Sequence, residues 1–507
     1  MTYKLVINLA IAAAAALTAP LSYAGKKDDT LRVASNVVPP SIDSYFNGAR
    51  EGVVLAHHIW SFLATRNERT GEYEPELATG WKWIDNKTLE VDLRKDVKFH
   101  NGDRFSADDV VYTLNWVIKP ENKVVVQQNI SWIEGADKLG DYKVRIRTKT
   151  PFPAALEYLA GAVPIYPAKY YAQVGPNGMS DKPIGSGPYR VTEVVAGKLV
   201  RMEKFNDYFK GSPKGTPSIG KIEFRLVPEQ ATQLAEIMSG GLDWIWRVPA
   251  DQAESLKAAP NLTVLSGETM RVGFVSINNN GSTPEAAPFK DVRVRQAVNH
   301  AINRKALADS LVRGGSQAVH SPCFRTQFGC DTAKVATYEY NPAKAKALLA
   351  EAGYANGFDT DLWAYRERDY AEAIIGDLRK VGIRARLHFV QYPALRTELR
   401  SGRAPLSFQA WGSFGVNDAS AFAGNFFKGG PDDTAKDPQV IALLQTADSS
   451  VDKAERKAKY AQALQRISTQ AMWAPMFSYS TNYAFTSDLK FDAQPDELPR
   501  FYQASWK

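Results

Sequence analysis

TLEVDLRKDVKFHNGDRFSADDVVYTLNWVIKP, from Thr88 to Pro120, changes its hydrophobic period from two residues to nearly four within one stretch. Thr88–Arg94 alternates apolar and polar side chains, the pattern of a strand with one buried face. Ser106 then opens a helix. Ser106 and Asp109 stand at capping-box spacing, and Pro120 marks the far end. Strand-then-helix recurs outward from here. DYKVRIRT and KIEFRLV alternate in the same way, and PEQATQLAEIMSGG follows the second as a helix stopped by two glycines. Asp291 caps a long predicted helix with Val294, Ala297, Val298, Ala301 and Ile302 on one stripe, closed by Gly314-Gly315. NPAKAKALLAEAGY has asparagine as cap, proline in the first turn and Gly353 at the stop. YAEAIIGDLRKVG runs into the strand RARLHFV, and AERKAKYAQALQRI is a last helix. With no heptads and no tandem repeat, the reading is an α/β protein of at least two lobes.

At 507 residues, 44 % hydrophobic and 23 % charged, the chain is globular in composition and too long for one compact core. Its first residues predict export. Lys4 precedes the apolar run Leu5–Leu17, Pro20 breaks it, and Ser22-Tyr23-Ala24 sets small residues before Gly25. That is the layout of a signal peptide over 1–24, cleaved after Ala24. No cysteine near that site offers a lipid anchor, so a soluble periplasmic protein is expected. Cys323 and Cys330, with six residues between them, predict a small-loop disulfide in an exported protein. Sixty-two basic residues stand against 55 acidic ones, or 61 against 55 without Lys4, spread along the chain. Nucleic acid is not implied, since that needs a basic face or stripe.

Enzyme signatures are thin. SFQAWGSFGVNDAS (Ser407–Ser420) offers Ser413 and Gly415 to a nucleophile elbow, but Trp411 stands where its first glycine belongs. Neither a phosphate loop nor H-E-x-x-H occurs. His57-His58 are adjacent and so are not a chelating pair; one is expected to face in and one out. Asp108-Asp109 suit a helix start. Trp244 and Trp246 in GLDWIWRVP share a face if this is a strand. With Trp411 and Phe414, aromatics beside glycines on separate segments read either as core or as walls of a ligand cleft.

Five blocks in order resemble the extracellular solute-binding proteins of family 5, the dipeptide- and oligopeptide-binding components of ABC importers. They are LRKDVKFHNGDRFSADDVVYTL, IGSGPYRVTEVVAGKLVRMEKFNDYFKGSP, FKDVRVRQAVNHAINRKAL, YNPAKAKALLAEAGYANGFD and IIGDLRKVGIRARL. The resemblance implies a periplasmic-binding-protein-like two-lobe α/β fold (class II, large cluster C type) with an extra α/β domain. Lobe I would comprise 25–47, 184–270 and 481–507, the extra domain 48–183, and lobe III 271–480. A peptide-like or other carboxylate-bearing amphipathic solute would be clasped between lobes I and III by hinge closure. Opines, amino-acid conjugates and chelated nickel are the alternatives. Partners would be that ligand and the permease subunits of an importer in the inner membrane; a monomer with no cofactor, no metal ligand set and no catalytic residue is expected.

In peptide-binding relatives the segment matching SFQAWGSFGVNDAS lines the cleft, with an aspartate three residues after the tryptophan for the peptide's ammonium. Here that position is Phe414, between Ser413 and Gly415, and Asp418 lies four residues further on. WAYRERDYAEAI resembles the place of a carboxylate-binding arginine, with Arg366 first and Arg368 second. Arg271 is a third candidate, and Trp411 and Trp246 would give stacking surface. Two rivals remain: a secreted hydrolase using Ser413, and a periplasmic chaperone without a saturable site.

Overall fold

The computed structural model describes residues 25–36, 39, 41–68 and 70–507, so the signal-peptide reading lies outside the described residues. Ten strands form one sheet. In order across it they are Ile383–Phe389, Phe358–Ala364, Leu406–Trp411, Leu262–Ile277, Trp473–Thr486, Trp244–Trp246, Thr30–Ser35, Lys221–Leu226, Leu199–Lys204 and Tyr189–Val195. The two longest, of 16 and 14 residues, are antiparallel neighbours in the middle.

These two strands change partners along their length. Leu262–Glu268 pairs with Ser480–Thr486, whose other side holds Trp244–Trp246. Val272–Ile277 instead carries Leu406–Trp411 on its outer side. Between the two stretches the register slips, because Glu268 faces Ser480 and Val272 faces Ser478. Thr269, Met270 and Arg271 therefore stand opposite Tyr479 alone, and Thr269 Oγ1 donates to Tyr479 O at 3.1 Å. Such a bulge loosens the ladder and bends the strand. It divides the sheet into two halves joined by two strands.

The opening stretch builds a second sheet, antiparallel, in the order Ala78–Trp83, Thr88–Leu93, Lys143–Thr148 and Ile133–Gly140. Its helix is Ala107–Val117, with the capping box made: Asp108 N donates to Ser106 Oγ at 3.2 Å and Ser106 N to Asp109 Oδ2 at 2.8 Å. Val110, Leu114 and Val117 turn onto Leu89, Val91, Val144 and Ile146. This core does not stop at the small sheet. It continues through Trp60, Tyr166 and Tyr189 to Val33, Trp244 and Tyr483 of the large one. Gly187 lets the two parts close up, because a Cβ there would sit 2.4 Å from His58 O.

The other half of the large sheet has separate cores. Val275, Phe408 and Ile374 pack with the helix Val292–Ala301, whose Val294, Ala297, Val298 and Ala301 are fully buried together with Ile302 just beyond it. That helix is shorter than predicted. Asn303 caps a new turn by accepting from Ala306 N at 3.0 Å, and so ends the first helix at Ala301. Phe274 stacks on Trp473 in the other core, with Phe422, Phe426 and Tyr460 around it.

His57 and His58 depart from the one-in, one-out expectation, for both are buried. His58 Nε2 accepts from Phe501 N at 3.1 Å, so its Nδ1–H donates to Val54 O at 2.7 Å. Burial pushes the His58 pKa down to about 4. Adjacent helical residues can both be buried where the helix end is covered on two sides. Among the described residues, no helix is long and apolar enough to cross a membrane.

Candidate functional site

The strand Leu406–Trp411 leaves the sheet into a strap, 412–419, that leads to the helix Ser420–Phe426. Alternation sends Leu406 and Phe408 to one core and places Ser407 and Gln409 on the opposite face, where Gln409 Nε2 donates to Ser407 Oγ at 2.9 Å. Ser413 (φ 52°) and Gly415 (φ 82°) take left-handed backbone, and the chain turns twice in three residues. The strap thereby projects across the gap between the second half of the large sheet and the small-sheet region.

On one side of the strap lies a chamber of about 700 Å³, and on the other a chamber of about 590 Å³. Trp411, Ser413 and Val416 line the smaller one. Facing them, Trp132 stacks on Phe152 with ring centres 5.1 Å apart, and Tyr158 lies 5.4 Å from Phe152. Trp411 meets Phe426 edge-on at 5.4 Å. The aromatic surfaces thus come from both sides of the gap, as a small-molecule cleft requires.

Charge enters the same chamber in pairs. Arg396 NH2 lies 2.6 Å from Asp432 Oδ2, and Arg400 Nε holds the other carboxylate oxygen at 2.6 Å. Burial alone would push Asp432 up; hydrogen bonds from Arg400 and Arg396 outweigh it and hold the carboxyl below its ordinary range. Lys428 Nζ pairs with Asp448 at 2.6 Å. A ligand carrying both signs can exchange partners with such pairs without leaving a charge unpaired.

Between the two chambers the strap touches the opposite side. Glu157 Oε1 accepts from Asn417 N at 2.6 Å, and Oε2 accepts from Tyr73 OH at 2.9 Å. Burial pushes the Glu157 carboxyl up although Arg66 is paired with it.

The sequence-derived residues fall into three groups. Trp411 and Ser413 line the smaller chamber. Asp418 lines the larger one and is 2 % exposed. Arg456 NH2 contacts both its carboxylate oxygens, at 3.1 and 2.9 Å, and Ser420 N donates to it at 2.9 Å. It braces the start of the next helix. Arg366, Arg271 and Trp246 do not reach the chamber. Arg366 donates to Glu367 at 2.7 Å and lies over the Tyr479 ring at 4.9 Å, beside the bulge. Arg271 reaches Glu497 at 3.3 Å and packs against Gly412. Trp246 is core, 5.6 Å from Trp244, with Arg247 over its ring at 4.3 Å. Arg368 pairs with Glu372 on an exposed helix face. The side chain of Phe414 lies outside the described residues. Cys323 and Cys330 are bonded to each other, with Cα atoms 5.8 Å apart. Sequence reasoning missed Arg396, Lys428, Trp132 and Phe152. The signal available was NFFKGG (Asn425–Gly430), where aromatics and a lysine adjoin glycines.

Hydrolysis finds no support in this geometry. The side chain bonded to Ser413 Oγ is Gln327, whose amide cannot take up a proton. Among the described residues, no group of three histidine, cysteine or acidic side chains is placed to hold a metal ion.

The model of the bacterial extracellular solute-binding proteins, family 5 Middle, matches residues 72–434. The chain belongs to family 5 of the bacterial extracellular solute-binding proteins. Among curated relatives, heme-binding protein A of Haemophilus influenzae is 26 % identical over 85 % of this chain and 83 % of its own. Glutathione-binding protein GsiB of Pectobacterium atrosepticum is 29 % identical over 83 % of each. The solved structure of HbpA2 from Haemophilus parasuis superposes with a TM-score of 0.82 at 25 % identity, covering 94 % of this chain and 100 % of that one. This family 5 protein has the two-lobe binding-protein fold and is a solute-binding component of an ABC importer. Family 5 members are binding proteins found in the periplasm or outside the cell.

Proposed function

We propose that this family 5 protein captures a peptide-like, carboxylate-bearing amphipathic solute in the 590 Å³ chamber and delivers it to a membrane permease. The observation that carries the reading is the joint composition of that chamber: aromatic rings from both sides of the gap, with the ion pairs Arg396–Asp432 and Lys428–Asp448 among them. Its volume is in the usual range for an enclosed small molecule, about 300–1,000 Å³. The relation to a glutathione-binding protein supports a small peptide with free carboxylates.

Capture proceeds by closure about the bulge at Thr269–Arg271. A ligand touching both sides stabilises the closed form by its differential affinity for that form. The lobes divide as 25–47, 184–270 and 481–507 against 271–480, with 48–183 as the extra domain. The mature protein is a periplasmic monomer cleaved after Ala24 and is not an enzyme.

A thermal-shift panel on residues 25–507 tests the reading with glutathione, dipeptides, opines, heme and nickel. A ligand at 100 times its Kd adds about 2.7 kcal/mol to the native state. Stabilisation by carboxylate-bearing peptides that is lost in Arg396→Ala is the expected result. Stabilisation by heme or nickel alone would overturn the peptide assignment.

A further inference from the structure

The strap that carries Trp411 and Ser413 is held from below by the loop that the disulfide closes. Phe328 N donates to Asn417 O and Ala419 N to Phe328 O, both at 2.9 Å, so the two segments run side by side. Between them lies Gln327, 4 % exposed. Its Oε1 accepts from Phe324 N at 2.9 Å, which settles the orientation of the amide. Nε2 therefore faces the strap, where it donates to Ser413 Oγ and to Val416 O, each at 2.9 Å. Both amide hydrogens are used.

This arrangement controls the polarity of Ser413. A serine hydroxyl has one proton to give and lone pairs with which to accept. Gln327 fills the accepting role, and among the described residues the side-chain hydrogen bond of Ser413 is that accepted one. Its proton is left over at a residue that is 2 % exposed and lines the chamber.

We propose that Gln327 is a specificity-determining positioning residue, acting through Ser413 to present a hydrogen-bond donor to the chamber and so favour free carboxylates. The proposal rests on the chamber being the solute site. A glutamate at 327 would accept the Ser413 proton, turn the hydroxyl's lone pairs to the chamber and convert a donor into an acceptor.

Calorimetry with two probes tests this: glutathione, and its diethyl ester with both carboxylates masked. The wild-type protein should favour the free acid by about tenfold or more, since the ester loses the charged acceptor for Ser413 and the attraction of Arg396 and Lys428. Ser413→Ala and Gln327→Met should each reduce that ratio severalfold, and Gln327→Glu should reduce it furthest. A merely structural role would weaken both probes equally and leave the ratio unchanged. An unchanged ratio in Ser413→Ala and Gln327→Met, with binding of both probes lost in Trp411→Ala, overturns the inference and leaves the site standing. Failure of the wild type to bind glutathione, or binding indifferent to Trp411→Ala, removes the site reading and the inference with it. Ser413→Ala keeps the test decisive if a Gln327 variant does not fold.

Discussion

The two halves of the large sheet are built differently. One shares a single hydrophobic core with the small sheet, running from Val144 and Leu114 through Trp60 to Trp244. That half also has a core of its own around Ile245 and Ile237, whereas the other closes only on cores of its own, one around Val298 and Phe408 and one around Trp473 and Phe426. Domains that share a core move as one body, whereas those linked by a few strands can bend. The first half and the small sheet thus form one broad packed body, here called the fixed body, and the second half a smaller unit, here called the jaw. The jaw carries the strap, and the fixed body supplies the aromatic wall opposite.

The strongest way to break the comparison is to attack the shared core. Gly187→Ala places a Cβ 2.4 Å from His58 O, a backbone atom that cannot move without displacing the helix end. Overpacking of this kind costs about 3 kcal/mol or more. A thermal melt should fall by roughly 5–10 °C. An unchanged melt would mean that the small sheet and the large one are not fused.

Trp411→Ala tests the jaw instead. It removes one aromatic wall of the chamber, so affinity for the solute should fall by about thirtyfold or more, following the loss of a buried aromatic contact. Circular dichroism at 25 °C should stay that of the wild type, because Trp411 is only partly buried.

A third test concerns the fixed body and its pH dependence. Asp243 accepts from Arg32 N at 2.8 Å, and burial pushes its carboxyl up to about 7. The folded pKa is raised above the unfolded one of about 3.9. The protonated form's contribution is therefore complete below pH 4 and is lost as pH rises through 7. Asp243→Asn should melt about 2–4 °C above the wild type at pH 8 and close to it at pH 4. A difference of the same size at both pH values would show that burial of this carboxylate costs nothing.

The smallest effect belongs to Arg313 and Asp251, an ion pair across the two halves with both side chains well exposed, at 48 % and 86 %. Arg313→Ala should shift stability by less than about 0.5 kcal/mol. A larger loss would mean that surface charges, rather than the bulged strands and the chamber, govern how the halves meet.

Much of this was readable in the sequence because it rests on local signals. The period-two strands, the Ser106–Asp109 box and the Asp291 and Asn341 caps are properties of a few adjacent residues. Trp411 was legible as a chamber wall because glycines beside an aromatic mark close packing around a cleft. Other site residues were not legible, since their role depends on partners far along the chain. Nothing near Asp418 in the sequence points to Arg456, 38 positions away, as its partner. Arg366 and Arg271 pair with Glu367 and Glu497 outside the chamber lining. Trp132 and Phe152 come from segments flanking strands of the small sheet, and no periodicity around them points to a gap more than two hundred residues downstream. The length of the helix from Asp291 was overestimated because Asn303 can serve as a second cap.

Small-angle X-ray scattering of residues 25–507, alone and with the carboxylate-bearing peptide that stabilises them most, tests the central claim most directly. A jaw closing on the fixed body predicts a smaller radius of gyration at saturation in the wild type and little change in Trp411→Ala at the same ligand concentration. A wild-type protein saturated with that ligand by calorimetry but unchanged in radius of gyration would contradict capture by closure.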